Sequence, residues 1–228
     1  MDGGTSDWLA MSFAAKNIYA ADVKNGNASL YDYVYNYDNA LLDQELNKCA
    51  AYPRHILALL ASGVATNDSK VNALKIKLDG CIQNNTFGLP GINDDIFGLL
   101  AALAINEDQN SPVVQTAVNA IKANQETDGS FAYPGPFKAP DLTGAAINAL
   151  KYAQGTGITI EADIFTKAKQ YLKAQQLIDG GWGCYDYPTC LKSDALTTDW
   201  AVMGINALGE DQTSWFNSNH KNPWHILT

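Results

Sequence analysis

The sequence predicts an all-α fold: an α/α toroid of about five helical hairpins, with an inner ring of buried helices and an outer ring of amphipathic helices. Three observations lead to this prediction. A unit of helix, glycine loop and helix recurs along the chain. The first helix of each unit is apolar on one face, and the second is apolar on every face. The repeat is clearest over residues 167–182, which read KAKQYLKAQQLIDGGW.

The glycine loops of the copies align with one another. Residues 128–131 (DGSF) correspond to residues 179–182 (DGGW), and residues 85–88 (NTFG) form a weaker copy upstream. An acidic residue then opens each short apolar segment; these residues are Asp7, Asp95, Asp141 and Asp199. Asp7 and Asp95 lie 88 residues apart, twice a period of 44, so we expect the missing copy near residue 51. Asp141 and Asp199 lie 58 residues apart, which predicts an insertion around residues 184–196.

The first helix of each unit has one apolar stripe. Within residues 161–176 that stripe lies at offsets 0, 1, 4, 7 and 8 and consists of Ile164, Phe165, Ala168, Tyr171 and Leu172. Such spacing is typical of a half-solvated helix. Residues 111–125 repeat the pattern, with Ser111 as the cap and Pro112 at the first helical position. Proline is favoured there because it has no N–H to leave unpaired.

The second helices are apolar all round. Residues 96–105 are ten apolar or glycine residues in a row, and residues 142–150 are interrupted only by Thr143 and Asn148. Such a helix must be covered on every side. It is also too short to cross a bilayer, which needs about 20 residues. Inner helices surrounded by amphipathic outer helices satisfy both patterns.

Residues 167–182 resemble the glutamine–tryptophan repeat of squalene–hopene cyclases. The matching residues are Lys167, Ala168, Tyr171, Leu172, Gln176, Gly180 and Trp182. Residues 140–144 (PDLTG) and 198–203 (TDWAVM) are similar to inner-helix segments of the same superfamily. That superfamily includes terpenoid cyclases, protein prenyltransferases and cobalamin carriers of the intrinsic-factor type. The resemblance implies the toroid, but it does not define a reaction, because one fold hosts many functions.

Charge and composition limit the partners. The net charge of −9 argues against a nucleic-acid partner, which would require clustered Lys and Arg. We expect no integral membrane segment in residues 1–228, which we interpret as a single toroid domain. Both ends of the chain look interrupted, so we expect fusion to further domains in a longer protein. The acidic composition favours an extracellular or cell-surface location.

Four cysteines allow three pairings. Cys184 and Cys190 flank a short loop, and Cys49 and Cys81 fall near the ends of two successive predicted outer helices. For an exported chain we expect disulfides Cys184–Cys190 and Cys49–Cys81. The alternative is four small buried hydrophobic side chains.

A terpenoid cyclase would need a strong acid to protonate an alkene or epoxide, which its family supplies from an Asp-x-Asp-Asp motif. Residues 92–95 (INDD) are the nearest match, with Ile92 in place of the first acid. If the chain is a cyclase, Asp94 and Asp95 are its catalytic residues. We favour the interpretation in which Asp95 caps a helix and Asp94 is solvated. A carbocation also needs aromatic faces, which could come from Trp8, Phe97 and Trp200.

Two further enzyme hypotheses are weaker. A prenyltransferase-like zinc site could use His55, Asp79 and Cys81, but Asp79 and Cys81 come at the end of a predicted outer helix rather than at the start of an inner one. We therefore expect no metal and no cofactor. A carbohydrate-active enzyme would need two carboxylates across a cleft. The repeated aspartates are better explained as helix-start residues that satisfy free N–H groups.

The sequence therefore favours a non-catalytic extracellular or cell-surface toroid that binds a small molecule or a partner protein in its central mouth. The alternative is a terpenoid cyclase or prenyltransferase-like enzyme acting on isoprenoid substrates, and a carbohydrate-active enzyme comes third. The candidate ligand-binding residues are Asp7, Trp8, His55, Asp95, Phe97, Tyr133, Asp141, Trp182, Tyr185, Asp199 and Trp200.

Overall fold

A computed structural model of the chain describes residues 3–83, 86–134, 137–183 and 192–227. These residues form mainly α-helices, which confirms the all-α class; closure into a toroid stays a prediction. The helices are α1 (Gly3–Ala14), α2 (Leu30–Tyr35), α3 (Asn39–Leu42), α4 (Lys48–Ala61), α5 (Ser69–Asp79), α6 (Asn93–Ala104), α7 (Pro112–Asn124), α8 (Pro140–Gly155), α9 (Ala162–Gln175), α10 (Ala195–Ala207) and α11 (Trp224–Leu227). One turn of 3-10 helix spans Gln212–Ser214.

Among the described residues, three short antiparallel hairpins connect some of the helices. Their strands are β1 (Lys24–Asn25) with β2 (Ala28–Ser29), β3 (Ile82–Gln83) with β4 (Thr86–Phe87), and β5 (Ala132–Tyr133) with β6 (Phe137–Lys138). The second hairpin follows α5 and the third follows α7, where the glycine loops were predicted. The loops therefore reverse the chain between a first and a second helix of one unit.

The chain forms two compact units. The first consists of the residues up to Leu89 together with Phe97–Ala117, and the second consists of Pro90–Ile96 and the chain from Val118 onward. In the first unit α4 packs against α1 and α5. In the second unit α8 packs along α10 and against α9. The prediction of a single domain stays a prediction.

The two predicted helix types are present. No residue of α6 is exposed, and neither is any residue of α8 from Pro140 to Lys151, as expected of helices that are covered on every side. Outer-type helix α9 is instead buried along one stripe only. Its buried residues are Ile164, Phe165, Ala168, Tyr171 and Leu172, the five that the periodicity predicted.

Helix α4 lies where the repeat spacing placed the missing copy, since it contains residue 51 and its buried residues begin at Ala51. It begins at Lys48 and includes Pro53 in its interior. Asn47 caps it, because its side-chain oxygen accepts a hydrogen bond from the backbone N–H of Ala50 at 3.3 Å. A prolyl ring normally disfavours a helix interior. In α4 the burial of Pro53 and its neighbours offsets this penalty.

A glutamine side chain binds each of two described glycine loops, and these glutamines are Gln125 and Gln176. The side-chain amide of Gln176 donates to the carbonyls of Gly180 at 2.9 Å and Trp215 at 2.7 Å. The amide of Gln125 donates to the carbonyls of Gly129 at 3.2 Å and Ile164 at 2.8 Å. Each glutamine thus fixes its own loop and also joins it to the chain 39 residues further on.

A buried aromatic residue follows each of these loops, and a threonine holds it in place. Both Phe131 and Trp182 are fully buried. The backbone N–H of Phe131 donates to the Thr143 hydroxyl at 3.0 Å, and that of Trp182 donates to the Thr198 hydroxyl at 3.0 Å. The repeated contacts show that the sequence repeat specifies one local structure.

The predicted disulfide between Cys49 and Cys81 is confirmed. Its position differs from the expectation that it joins two outer helices. Cys49 lies in the first turn of α4, and Cys81 comes two residues after the end of α5. The disulfide therefore ties the start of an inner-type helix to the end of the outer-type helix that follows it. Cys184 and Cys190 lie outside the described residues.

Among the described residues, no helix combines the length and the apolar character needed to cross a membrane.

Candidate functional site

Two adjacent carboxyl groups are buried in the first turn of α6. Asp94 is 2% exposed and Asp95 is 1% exposed, so the interpretation that Asp94 is solvated is wrong. Asp95 is the third residue of the helix rather than its cap. Within the described part of the chain, its Oδ1 atom is buried and has no hydrogen-bond partner. A buried acceptor without a partner is unfavourable unless a ligand or water supplies one.

The environment of Asp95 favours its neutral form. Burial raises the pKa of Asp95 to about 7, and the neighbouring charge of Asp94 acts in the same direction. A hydrogen bond from its own backbone N–H acts in the opposite direction. Below pH 7 Asp95 is therefore largely a carboxylic acid, which can donate as well as accept a hydrogen bond.

The raised pKa of Asp95 predicts a pH-dependent effect of Asp95→Asn on stability. The unfolded carboxyl releases its proton near pH 4 while the folded one keeps it to about pH 7, so the parent loses stability between these values. We expect the variant to gain about 2 kcal/mol over the parent at pH 8, with the gain vanishing by pH 4. Urea unfolding at both pH values measures this. An equal effect at both would show that Asp95 does not titrate between them.

Asp141 occupies the corresponding place in the first turn of α8. Its Oδ1 accepts a hydrogen bond from the backbone N–H of Leu142 at 2.7 Å, and its Oδ2 lies 3.4 Å from the hydroxyl of Tyr133. Burial raises the pKa of Asp141, and the charge of Asp194 adds to the effect. The predicted candidates Asp141 and Tyr133 therefore do meet, and their polar groups satisfy one another.

Other predicted candidates in the second unit are less suited to bind a ligand. Asp199 is exposed and Trp200 is half-buried in α10. Trp182 was expected to contact a ligand, but its indole is fully buried and donates to the carbonyl of Leu172 at 2.7 Å. Trp182 is thus a core residue, because its N–H and its ring are both used within the protein. Tyr185 lies outside the described residues.

The first unit contains a buried charged network around Asp7. Oδ1 of Asp7 lies 2.7 Å from Nδ1 of His55, and Oδ2 lies 3.0 Å from Nε of Arg54. Arg54 also holds Glu45 through two contacts at 2.7 and 3.1 Å. The predicted candidates Asp7 and His55 are therefore brought together, and Asp7 is a network residue rather than a helix cap.

Sequence reasoning missed Arg54 and Glu45. Arg54 is the only arginine in the chain, and it lies in an apolar helix directly before a histidine. That singular position was the available signal, since an arginine among apolar residues requires a carboxylate partner. The Nε2 atom of His55 is buried and has no partner among the described residues. The centroid of the Tyr37 ring lies 5.5 Å from the centroid of the His55 ring.

Trp8 and Phe97 form an aromatic pair in the first unit. Their ring centroids are 5.8 Å apart with an angle of 72° between the planes, an edge-to-face arrangement. Trp8 is 42% exposed. The two predicted aromatic residues therefore meet, and the pair leaves part of an indole at the surface.

The three suggested zinc ligands do not form a site. Cys81 is bonded to Cys49, so it has no thiolate to offer a metal. Asp79 pairs with Lys75 at 3.2 Å at the surface, and His55 binds Asp7. Among the described residues, no group of three or more His, Cys, Asp and Glu side chains could hold a metal ion.

The family model of the squalene–hopene cyclase C-terminal domain matches residues 99–219, which is more than half of the 228 residues. Asp94 and Asp95 come just before the matched segment. A search of curated proteins found no match.

Proposed function

Because the chain belongs to the squalene–hopene cyclase C-terminal domain family, we propose that it is a toroid-type module that binds a small neutral molecule without converting it. The observation that carries this proposal is the buried carboxyl of Asp95, whose Oδ1 has no partner among the described residues. A neutral carboxylic acid in that position donates a hydrogen bond to an acceptor oxygen of a ligand.

The strength of this acid favours binding over cyclisation. Protonation of an alkene requires a stronger acid than an ordinary carboxyl group, whereas burial makes Asp95 weaker by raising its pKa to about 7. The first position of the family's acid motif is occupied by the buried side chain of Ile92, which can neither donate nor accept a hydrogen bond. The motif thus keeps two of its three acids, Asp94 and Asp95, and lacks the first.

The ligand class follows from the apolar surroundings of this carboxyl. Ile92 and Ile96 are both buried, so Asp95 is a polar group in an apolar environment. A molecule with one hydroxyl or carbonyl oxygen on an apolar skeleton matches that environment, whereas an anion would be repelled by Asp94 and by any ionised Asp95. An isoprenoid alcohol has this chemistry.

Geranylgeraniol is a suitable probe, with binding measured by tryptophan fluorescence and calorimetry. We expect Asp95→Leu to weaken binding at least ten-fold at pH 6, because the hydrogen bond is lost. Asp95→Asn should bind the probe about as tightly as the parent, since a neutral amide still donates a hydrogen bond. Asp199→Asn is the matched control at an exposed aspartate and should leave the affinity for the probe unchanged. Parent affinity should fall above pH 7 as Asp95 ionises.

Two results would overturn the binding proposal. The first is an affinity of Asp95→Leu equal to that of the parent, or no binding of the probe at all. The second is turnover. If incubation with squalene or geranylgeranyl diphosphate gives a cyclised product that Asp95→Asn abolishes, the chain is a terpenoid cyclase, the alternative that the family membership supports.

We also propose an extracellular or cell-surface location. The disulfide Cys49–Cys81 supports it, because disulfides persist in oxidising compartments and are rare in reducing ones. Fractionation of the native cells, with detection by an antibody, tests this location; recovery of the protein in the cytosol with free thiols would contradict it.

A further inference from the structure

The disulfide in the first unit lies at the surface of a groove. The groove has a volume of about 330 Å³, and both Cys49 and Cys81 line it. Leu46, which is fully exposed, and Leu89, which is 52% exposed, contribute apolar side chains to the same groove. The disulfide therefore lies within reach of a molecule in the groove.

The two cysteine residues differ in exposure. Cys49 is half-buried, whereas Cys81 is only 4% exposed. A thiolate entering the groove therefore reaches Cys49 first, and Cys81 is the sulfur that leaves. This division into an accessible cysteine and a buried partner suits thiol–disulfide exchange, because it directs the attack to one sulfur.

The position of Cys49 also stabilises its reduced form. Cys49 is the second residue of α4, a helix of 14 residues, and the positive end of a helix dipole favours a thiolate. Lys48 precedes it and lines the groove as well. A disulfide whose reduced form is stabilised in this way is a better oxidant of other thiols.

Two carboxylates line the groove and would oppose a thiolate, but both are paired. Asp43 accepts hydrogen bonds from Lys77 at 2.6 and 2.7 Å, which together with one from Tyr52 hold its pKa below the ordinary value. Glu45 is bound by the guanidinium of Arg54. Among the described residues that line the groove, Lys48 is the cation, and its charge also helps to lower the pKa of Asp43.

We propose that Cys49–Cys81 is a redox-active disulfide that oxidises a dithiol peptide bound in this groove. One peptide thiolate attacks Sγ of Cys49, the Cys49–Cys81 bond breaks, and Cys81 leaves as a thiolate that takes up a proton. The second peptide thiolate then attacks the peptide sulfur of the mixed disulfide and releases the Cys49 thiolate. The peptide loses two electrons and its two thiol protons, and the protein becomes a dithiol.

The exposed leucines at the edge of the groove indicate which peptides exchange fastest. Leu46 and Leu89 expose apolar surface that a partner would cover, so a peptide with leucines beside its cysteines should bind better than one with charged neighbours. Negative neighbours would compete for Lys48 and weaken the stabilisation of the thiolate. The proposed substrate is therefore a reduced peptide of apolar character.

The test uses the whole chain with Cys184→Ser and Cys190→Ser, so that Cys49 and Cys81 are its sole cysteines. The oxidised protein is mixed with a reduced synthetic peptide carrying two cysteines and flanking leucines, without denaturant. Free thiols are blocked with N-ethylmaleimide to stop the exchange, and the masses of the products are measured by mass spectrometry. We expect one peptide oxidised for each protein reduced, at least ten times faster than with oxidised glutathione at the same concentration.

Charge variants separate this activity from a merely structural disulfide. Lys48→Glu should slow exchange and shift its equilibrium toward the oxidised protein by about three- to ten-fold. Lys16→Glu makes the same charge change at an exposed residue outside the groove and should have no effect. Circular dichroism checks that both variants are folded.

Trapping variants test the direction of attack. In Cys81→Ser, the free Cys49 thiolate should attack the disulfide of the oxidised peptide and hold it as a mixed disulfide, and in Cys49→Ser the thiol of the buried Cys81 should react with the same oxidised peptide at least ten times more slowly. The proposal is overturned if exchange requires denaturant, if Lys48→Glu behaves like Lys16→Glu, or if the two trapping variants react equally fast.

Discussion

Gly144→Ala is expected to destabilise the protein by more than about 4 kcal/mol, or to prevent folding of the second unit. A methyl group at Gly144 would lie 2.1 Å from the carbonyl oxygen of Trp200 and 2.8 Å from the Cα of Ala201. Both atoms belong to the backbone of α10, so no side-chain rotation relieves the overlap. The two helices would have to separate along their contact, where Gly204 faces Gly144 in turn.

Gly155→Ala is the matched control in the same helix. A methyl group at Gly155, the last residue of α8, meets no atom within 4 Å. Alanine favours the helix over glycine, so we expect a small gain of about 0.5 kcal/mol. Urea unfolding followed by circular dichroism measures both variants. Equal stability of the two would show that α8 and α10 do not approach as closely as described.

Trp182→Ala is expected to lower the free energy of unfolding by about 4–5 kcal/mol. The indole is fully buried, and its centroid lies 6.0 Å from that of Trp215. Truncation would leave a large cavity and would also leave the carbonyl of Leu172 without the hydrogen bond that it accepts from the indole N–H. Thermal and urea unfolding by circular dichroism check the loss.

Trp182→Phe separates the two contributions. Phe131, which is fully buried, holds the position after its glycine loop that Trp182 holds after the next one. A benzyl ring therefore fits this kind of site. We expect a loss of only about 1–2 kcal/mol, from the missing hydrogen bond and a smaller cavity. If Trp182→Ala lost no more than Trp182→Phe, the packing of the ring would contribute little to stability.

The periodic part of the fold was predictable because it depends on neighbours along the chain. The stripe of α9 was predicted residue by residue, since the side chains of a helix repeat every 3.6 residues. Gln176 belongs to the sequence repeat, and the contact that it makes with its loop recurs at Gln125. Helix boundaries were less predictable: α4 includes Pro53, because the capping by Asn47 and the burial of its apolar side chains outweigh the proline.

The candidate site was predictable in its residues but not in its contacts. Asp7 and His55 were both candidates, yet 48 residues separate them, and only packing of α1 on α4 brings them within 2.7 Å. The partners Arg54 and Glu45 carried no repeat signal. For Asp94 and Asp95 a place at the start of a helix was predicted, but Asp95 is the third helical residue rather than the cap, and the burial was not predicted, because exposure depends on which segments cover the helix.

By itself the sequence determined the helical class, the two helix types, the repeated glycine loops and the family resemblance. The tertiary structure alone decided that Trp182 is a core residue, that Asp95 is buried with a raised pKa, and that Cys49 faces a groove. The physical reason is the distance along the chain over which each kind of interaction acts. Hydrophobic periodicity and turn chemistry act within a few residues, whereas the hydration and charge of a side chain are set by distant parts of the chain.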